Sequence, residues 1–294
     1  VIAAAWPGRA LADASARAPR PVIRGEPKSA PGAFGVSVDF LSFTVVQPVE
    51  EVLLRLSEVI NGFVVQDRDR GVNGFECSAA IVGLGLVGWG GAAVSGRTWV
   101  SLSGAGCAAV HNFRLLASIL DEWQARITRC DVCFDDIEGA HVSVDRARSW
   151  YRAGAFNLRA RQPVASYVDD CGSGSGCTFY VGRRQSGKLC RVYDKGLQLG
   201  IAGSRWARCE VEFRDADRVI PTDILRRPAD FLAGAYPALA FVSSCVAVIR
   251  TAKLVAGRTL AQVVKSAKVQ AGRVLGVLVG LGVDAADVVA LLSR

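Results

Sequence analysis

Two strand-like phrases carry the chain's clearest chemistry. Arg129-Cys-Asp-Val-Cys-Phe-Asp-Asp136 and Arg208-Cys-Glu-Val-Glu-Phe-Arg-Asp215 share the pattern R-C-[DE]-V-x-F-x-D. Side chains alternate along a strand, so Cys130, Val132 and Phe134 take one face, and Arg129, Asp131 and Asp135 the other. In the second phrase Cys209, Val211 and Phe213 oppose Arg208, Glu210, Glu212 and Arg214. If the two strands are neighbours, Asp131 and Glu210 come close enough to share a divalent cation, and hard carboxylate oxygens suit Mg²⁺ or Mn²⁺. A second reading stays open on spacing alone: the acids pair with Arg129, Arg208 and Arg214 on a solvated sheet face.

Between the phrases, Gly182 to Lys188 reads G-x-x-x-x-G-K. A phosphate-binding P-loop needs a helix directly after its lysine and a Ser or Thr to meet the metal. Here Leu189 follows, and Leu-Cys-Arg-Val-Tyr-Asp-Lys alternates as a strand. Thr178–Gly182 is strand-like too, so the segment predicts a β-hairpin and excludes an ATPase that would depend on Lys188. On the second strand Arg191 and Lys195 stand two residues either side of Tyr193. A phenol titrates near pH 10, so a nucleophilic tyrosine needs cations or a metal to stabilise its phenolate. The same cations stabilise the charge that develops on a phosphodiester under attack. A tyrosine that merely packs on the sheet is the plainer alternative.

Other nucleophile and metal patterns are weak. Cys130 and Cys133 form a lone CxxC whose sulfurs face opposite sides of a strand, and nine scattered cysteines read as reduced thiols. His111 and His141 are the only histidines and stand thirty residues apart, so no HxH pair exists.

The elements that must hold these residues follow from periodicity. Residues 1–35, with five of ten prolines and four arginines, read as a disordered basic arm. A strand is expected over Val36–Val45, a helix from Pro48 through Ile60, hairpins over 74–110 and an amphipathic helix over Asn112–Arg126. A strand over Ile127–Asp135, a helix from Ser143 to Ala153, and strands near 178–182, 189–195 and 206–214 come next. Past Pro221 the chain reads as helical. The order predicts an α+β domain at 36–218, with an antiparallel or mixed sheet, and a helical C-terminal region at 219–294.

A net charge of +8 suits a polyanionic partner. Residues 178–218 hold nine Lys/Arg against five Asp/Glu, and 245–275 hold six Lys/Arg and no acid. Arg258, Lys265 and Lys268 lie off an apolar stripe there, as on a basic helix gripping a DNA backbone. The apolar run Val274–Val283 is too short to span a bilayer, and no signal leader is legible, so a cytoplasmic protein without stable membrane association is expected.

Four stretches together resemble the replication initiation factor family of rolling-circle initiators from filamentous phages and small plasmids. They are Val38-Asp-Phe-Leu-Ser-Phe-Thr44, Thr128–Asp136, Thr178–Lys195 and Trp206–Arg214, and the hairpin ending in Tyr-Asp-Lys is the most specific. The resemblance implies a metal-dependent enzyme that nicks and rejoins one DNA strand at an origin through a 5′-phosphotyrosine. It assigns Tyr193 as nucleophile, Lys195 and Arg191 as stabilisers, and Asp131, Glu210 and Glu212 as ligands of Mg²⁺ or Mn²⁺. The basic side chains Arg183, Arg184, Lys188 and Arg208, with Arg258, Lys265 and Lys268, are then expected on DNA. Origin DNA, a host helicase, a polymerase and a second copy of the chain are the implied partners. A non-catalytic DNA-binding repressor or copy-control protein is the competing expectation.

Overall fold

A computed structural model of the chain describes residues 35–94, 96–158, 161–249, 282–284 and 287. The basic arm and the stretch holding Arg258, Lys265 and Lys268 lie outside them. Among the described residues, ten strands form one antiparallel sheet. In chain order they are β1 (Val36–Val45), β2 (Val65–Arg68), β3 (Cys77–Ile81), β4 (Gly85–Trp89), β5 (Thr98–Leu102), β6 (Arg126–Asp136), β7 (Ala165–Val168), β8 (Thr178–Arg183), β9 (Lys188–Tyr193) and β10 (Ala207–Arg214). Across the sheet the order is β2-β3-β4-β5-β1-β6-β10-β9-β8-β7, so β1, β6 and β10 are central.

Helices cover one face. α1 (Val49–Leu56), α2 (Gly104–Ala109), α3 (Phe113–Glu122), α4 (Val144–Arg152) and α6 (Pro228–Ala233) surround a core that takes Leu41, Phe43, Val132, Val192, Val211 and Phe213 from the strands. α3 begins where Asn112 caps it, its side chain accepting from the Leu115 amide at 3.0 Å. Its Leu116, Ile119 and Leu120 are buried, as the helical spacing predicts. The short helix α5 (Lys195–Gln198) lies at the end of β9. The architecture is α+β, as expected. Residues 222–242 form two 3-10 turns and α6, and supply Ile224, Leu232 and Leu239 to the same core.

Two irregularities shape the other, polar face. The β1–β6 register shifts between Val38 and Phe40, and again between Ser42 and Phe43. Val38 and Leu41 are both buried in the core, so Asp39 and Phe40 between them both leave it for the polar face. On β6, Ile127 and Cys130 are likewise core residues, which leaves Thr128 and Arg129 together on the polar face. A bulge inserts one extra residue and re-aims side chains in this way. Strict alternation had placed Arg129 correctly but had no place for Phe40 or Thr128 beside it.

Candidate active site and nucleic-acid interface

The segment from Gly182 to Lys188 is a hairpin. β8 and β9 pair antiparallel from Thr178–Tyr193 to Arg183–Lys188, joined by a 3-10 turn at Arg184–Ser186. Gly187 closes the turn with φ +67°, and a Cβ there would lie 2.3 Å from an Asp217 carboxylate oxygen. Glycine takes both the left-handed turn and the close approach without strain. β9 then alternates: Lys188, Cys190 and Val192 point to the helices, while Leu189, Arg191 and Tyr193 point to the polar face.

This corrects the expected DNA contact of Lys188. Its ammonium lies 3.9 Å from the centroid of the Tyr236 ring and donates to the Ala235 carbonyl, on the opposite face from Tyr193. Burial, helped by nearby Arg218, brings its pKa down to about 8. Lys195 also differs from expectation, because β9 ends at Tyr193 and Lys195 opens α5 rather than extending the strand face. The turn nevertheless brings its ammonium to 5.7 Å from the Tyr193 ring centroid.

Tyr193 ends β9 between Thr178 of β8 and Arg208 of β10, and is 6% exposed. The Arg191 guanidinium stands 5.1 Å from its ring centroid. Burial raises the phenol's pKa above its ordinary value and Glu210 adds to the rise, whereas Arg208 and Arg191 oppose it. In this arrangement the phenol holds its proton at neutral pH.

β6 and β10 are indeed antiparallel neighbours, centred on Val132 opposite Val211. Asp131 therefore faces Glu212, and Glu210 faces Cys133 on one side and Arg191 on the other. The acid opposite Asp131 is thus Glu212, one pleat removed from the expected Glu210. All three carboxylates are buried, at 1%, 1% and 5% exposure for Asp131, Glu210 and Glu212. Arginines neutralise them. Arg129 donates to both Asp131 oxygens, its Nε at 2.8 Å, and stands 3.3 Å from Glu212. Arg184 reaches Glu212 at 3.1 Å and Arg214 joins it there. Arg191 donates to both Glu210 oxygens at 2.7 Å. Burial still lifts Asp131 to a pKa of about 7; Arg129 pulls it back, and Glu210 and Glu212 push it further up.

The fit to a divalent cation rests on this donor set. Three acids supply hard oxygens on one face, and Asp131 meets Glu212 like charge to like charge, an unfavourable pairing that a cation relieves. Arg129 occupies the place between them and would have to yield. Among the described residues, ligand atoms of Asp169, Asp170 and Cys177 also converge within 4.8 Å of one another. There Asp170 accepts from the Gly172 and Gly176 amides at 3.0 and 3.1 Å, which holds the loop before β8.

Arg208, expected on DNA, is instead enclosed. It donates to both Asp135 oxygens at 2.8 and 2.7 Å and to Asp39 at 3.0 Å, and Trp206 donates to Asp135 at 2.7 Å. Alternation had already put Asp135 on this face, whereas spacing alone did not single out Asp39; the three-residue interval between core positions Val38 and Leu41 was the available signal. Arg183 is exposed at the hairpin tip, and Arg184 is exposed while bound to Glu212.

The fold and this charged face define an antiparallel α+β scaffold with helices packed on one sheet face and a network of charged side chains on the other. The replication initiation factor family model matches residues 125–253, a range that includes β6, the hairpin and β10. The resemblance read from the sequence is borne out over that stretch. The structure of a rolling circle replication initiator protein from Geobacillus stearothermophilus is similar, with a TM-score of 0.53 and 21% identity over 68% of this chain and 81% of that one. A search of curated proteins found no match. No helix among the described residues is long and apolar enough to cross a membrane.

Proposed function

We propose that the chain starts rolling-circle replication by nicking and rejoining one strand of origin DNA, with Tyr193 as the nucleophile. The observation that supports this most is the position of Tyr193. It closes a hairpin strand within the family-matched segment, on the same face as Asp131, Glu210 and Glu212, with Arg191, Lys195 and Arg208 around it. The phenol gives up its proton as its oxygen attacks a backbone phosphorus, the P–O3′ bond breaks with a proton taken up by the leaving 3′ oxygen, and the 5′ phosphate stays on the tyrosine while a 3′-OH is released. Attack of a 3′-OH on the phosphotyrosine reverses the step without ATP, because the ester bond is conserved. Arg191 and Lys195 stabilise charge on the phenolate and the phosphate oxygens. Asp131 and Glu212, with Glu210, would hold Mg²⁺ or Mn²⁺, which would lend Lewis acidity to the phosphate. The released 3′-OH is a primer, which makes a host helicase and polymerase the expected partners.

The test is incubation with supercoiled origin DNA and Mn²⁺ or Mg²⁺, followed by peptide mapping of the protein–DNA adduct. An adduct on Tyr193, lost on chelation, is the expected result. DNA binding without any adduct favours a non-catalytic repressor or copy-control protein, and an adduct on another tyrosine overturns the assignment.

A further inference from the structure

The polar face carries a second feature, a cleft of about 550 Å³ at the far end of the β6–β10 pair from Tyr193. Phe40, Phe75 and Trp99 line it together with Arg129, Arg214 and Thr44. The Arg129 guanidinium lies 4.1 Å from the Phe40 ring centroid, a cation–π contact at the wall of the cleft. Trp99 is half-buried and sits opposite Gly88 of β4, where a Cβ would come within 2.8 Å of Val72 and 3.4 Å of Phe75. The missing side chain lets Phe75 lie against the sheet beside Trp99. The Ser42 and Thr128 hydroxyls, also lining the cleft, satisfy one another at 2.7 Å. The one acid in the cleft, Asp215, is held by Arg126 at 2.7 Å.

We propose that this cleft is a subsite for one unpaired nucleobase of the DNA strand on which the protein acts. The proposal rests on the reading of the chain as a DNA-acting protein and names the part of the substrate held away from the cut. Aromatic faces and a guanidinium plane are the surfaces on which single-stranded bases stack, whatever their sequence. Arg129 and Arg214 are already engaged by Asp131 and Glu212, so their planes, more than their charge, are on offer. The volume suits one small ligand and excludes a duplex. Arg129 lies six residues along β6 from Asp135, which is level with Tyr193 through Arg208. At about 3.4 Å per residue the cleft is on the order of 20 Å along the sheet from the tyrosine. A base seated there fixes the strand several nucleotides from the cut and so sets which phosphate reaches Tyr193.

The test is fluorescence anisotropy of labelled single-stranded oligonucleotides, without metal, with an abasic nucleotide placed at each position in turn. Wild type is expected to show one position where losing the base weakens binding by about 5- to 150-fold. Trp99→Ala flattens that profile, Trp99→Phe retains it, and duplex binding is the same in all three. Thermal melting of each variant separates a lost subsite from a lost fold, and a wild-type profile with no such position overturns the proposal even if alanine unfolds the chain. A profile unchanged in Trp99→Ala overturns the proposal. So does a free mononucleotide that outcompetes the oligonucleotide in wild type but not in Trp99→Ala, which makes the cleft a mononucleotide site. A missing Tyr193 adduct with an intact abasic profile sinks the nicking function alone; an adduct with a flat profile sinks the subsite alone.

Discussion

The two ends of the β6–β10 pair are built from one repeated phrase and behave differently. Because the strands run antiparallel about Val132 and Val211, the first residue of each phrase meets the seventh of the other. At one end Arg208 meets Asp135, and Asp39 completes a closed network beneath Tyr193. At the other end the seventh residue is Arg214, so Arg129 meets an arginine. That end is neutralised by Asp131 and Glu212, with Arg129 reaching both acids, and it opens into the aromatic cleft. A single charge reversal within a repeated phrase thus separates a locked end, beside Tyr193, from an open end with room for a ligand.

The largest way to break the comparison is at the locked end itself. Tyr193→Phe should lower nicking by on the order of 10⁴-fold or more while leaving DNA binding intact, as gel assays of supercoiled relaxation and anisotropy would show together. Relaxation at the wild-type rate would remove Tyr193 from the chemistry.

Stability should divide the ends next. Arg208→Ala removes the guanidinium partner of buried Asp135 and of part-exposed Asp39, and is expected to cost roughly 3–5 kcal/mol in urea unfolding. Arg214→Ala removes a side chain that is 37% exposed from a carboxylate with other partners, and should cost about 1 kcal/mol or less. Equal losses would mean that the ends are not different in kind.

The smallest effect concerns the opposite face of the same hairpin. Lys188 has a folded-state pKa lowered to about 8, below the value near 10.5 of a free lysine. Between those values the unfolded chain binds more protons, so stability rises with pH across that window and is flat beyond it. Wild type should therefore gain roughly 1–2 kcal/mol from pH 7.5 to 9.5 relative to Lys188→Met, measured as urea midpoints. A parallel pH response in the two proteins would show that Lys188 is solvated as Arg183 is.

Much of the site was legible because strands are periodic. The alternation of Cys130, Val132 and Phe134 with Asp131, and of Cys209, Val211 and Phe213 with Glu210 and Glu212, fixed which side chains share a face. The missing helix signal after Lys188 was enough to reject a phosphate loop. Period two failed where the backbone broke it, at Asp39–Phe40 and Thr128–Arg129, so Phe40 and Thr128 went unseen as walls of the cleft. Register was the other gap: nothing local distinguishes Glu210 from Glu212 as the residue opposite Asp131, since that depends on how two strands far apart in the chain align. Two of the basic residues expected on DNA turned out enclosed for a related reason. Arg208 and Lys188 have the same composition signal as Arg183, and only burial separates them.

The same alternation that carries acids to one face carries sulfur to the other. Cys130, Cys190 and Cys209 lie sealed in the middle of the sheet, with the last two sulfurs 3.9 Å apart, and Cys107 and Cys133 are buried as well. Cys77, Cys171 and Cys245 lie in the open. A thiol-reactive dye added to the intact protein thus meets outer sulfurs at once and inner ones only when strands part. The chain contains its own reporter of how often its centre breathes, and DNA that clamps the polar face should slow that clock without touching a cysteine.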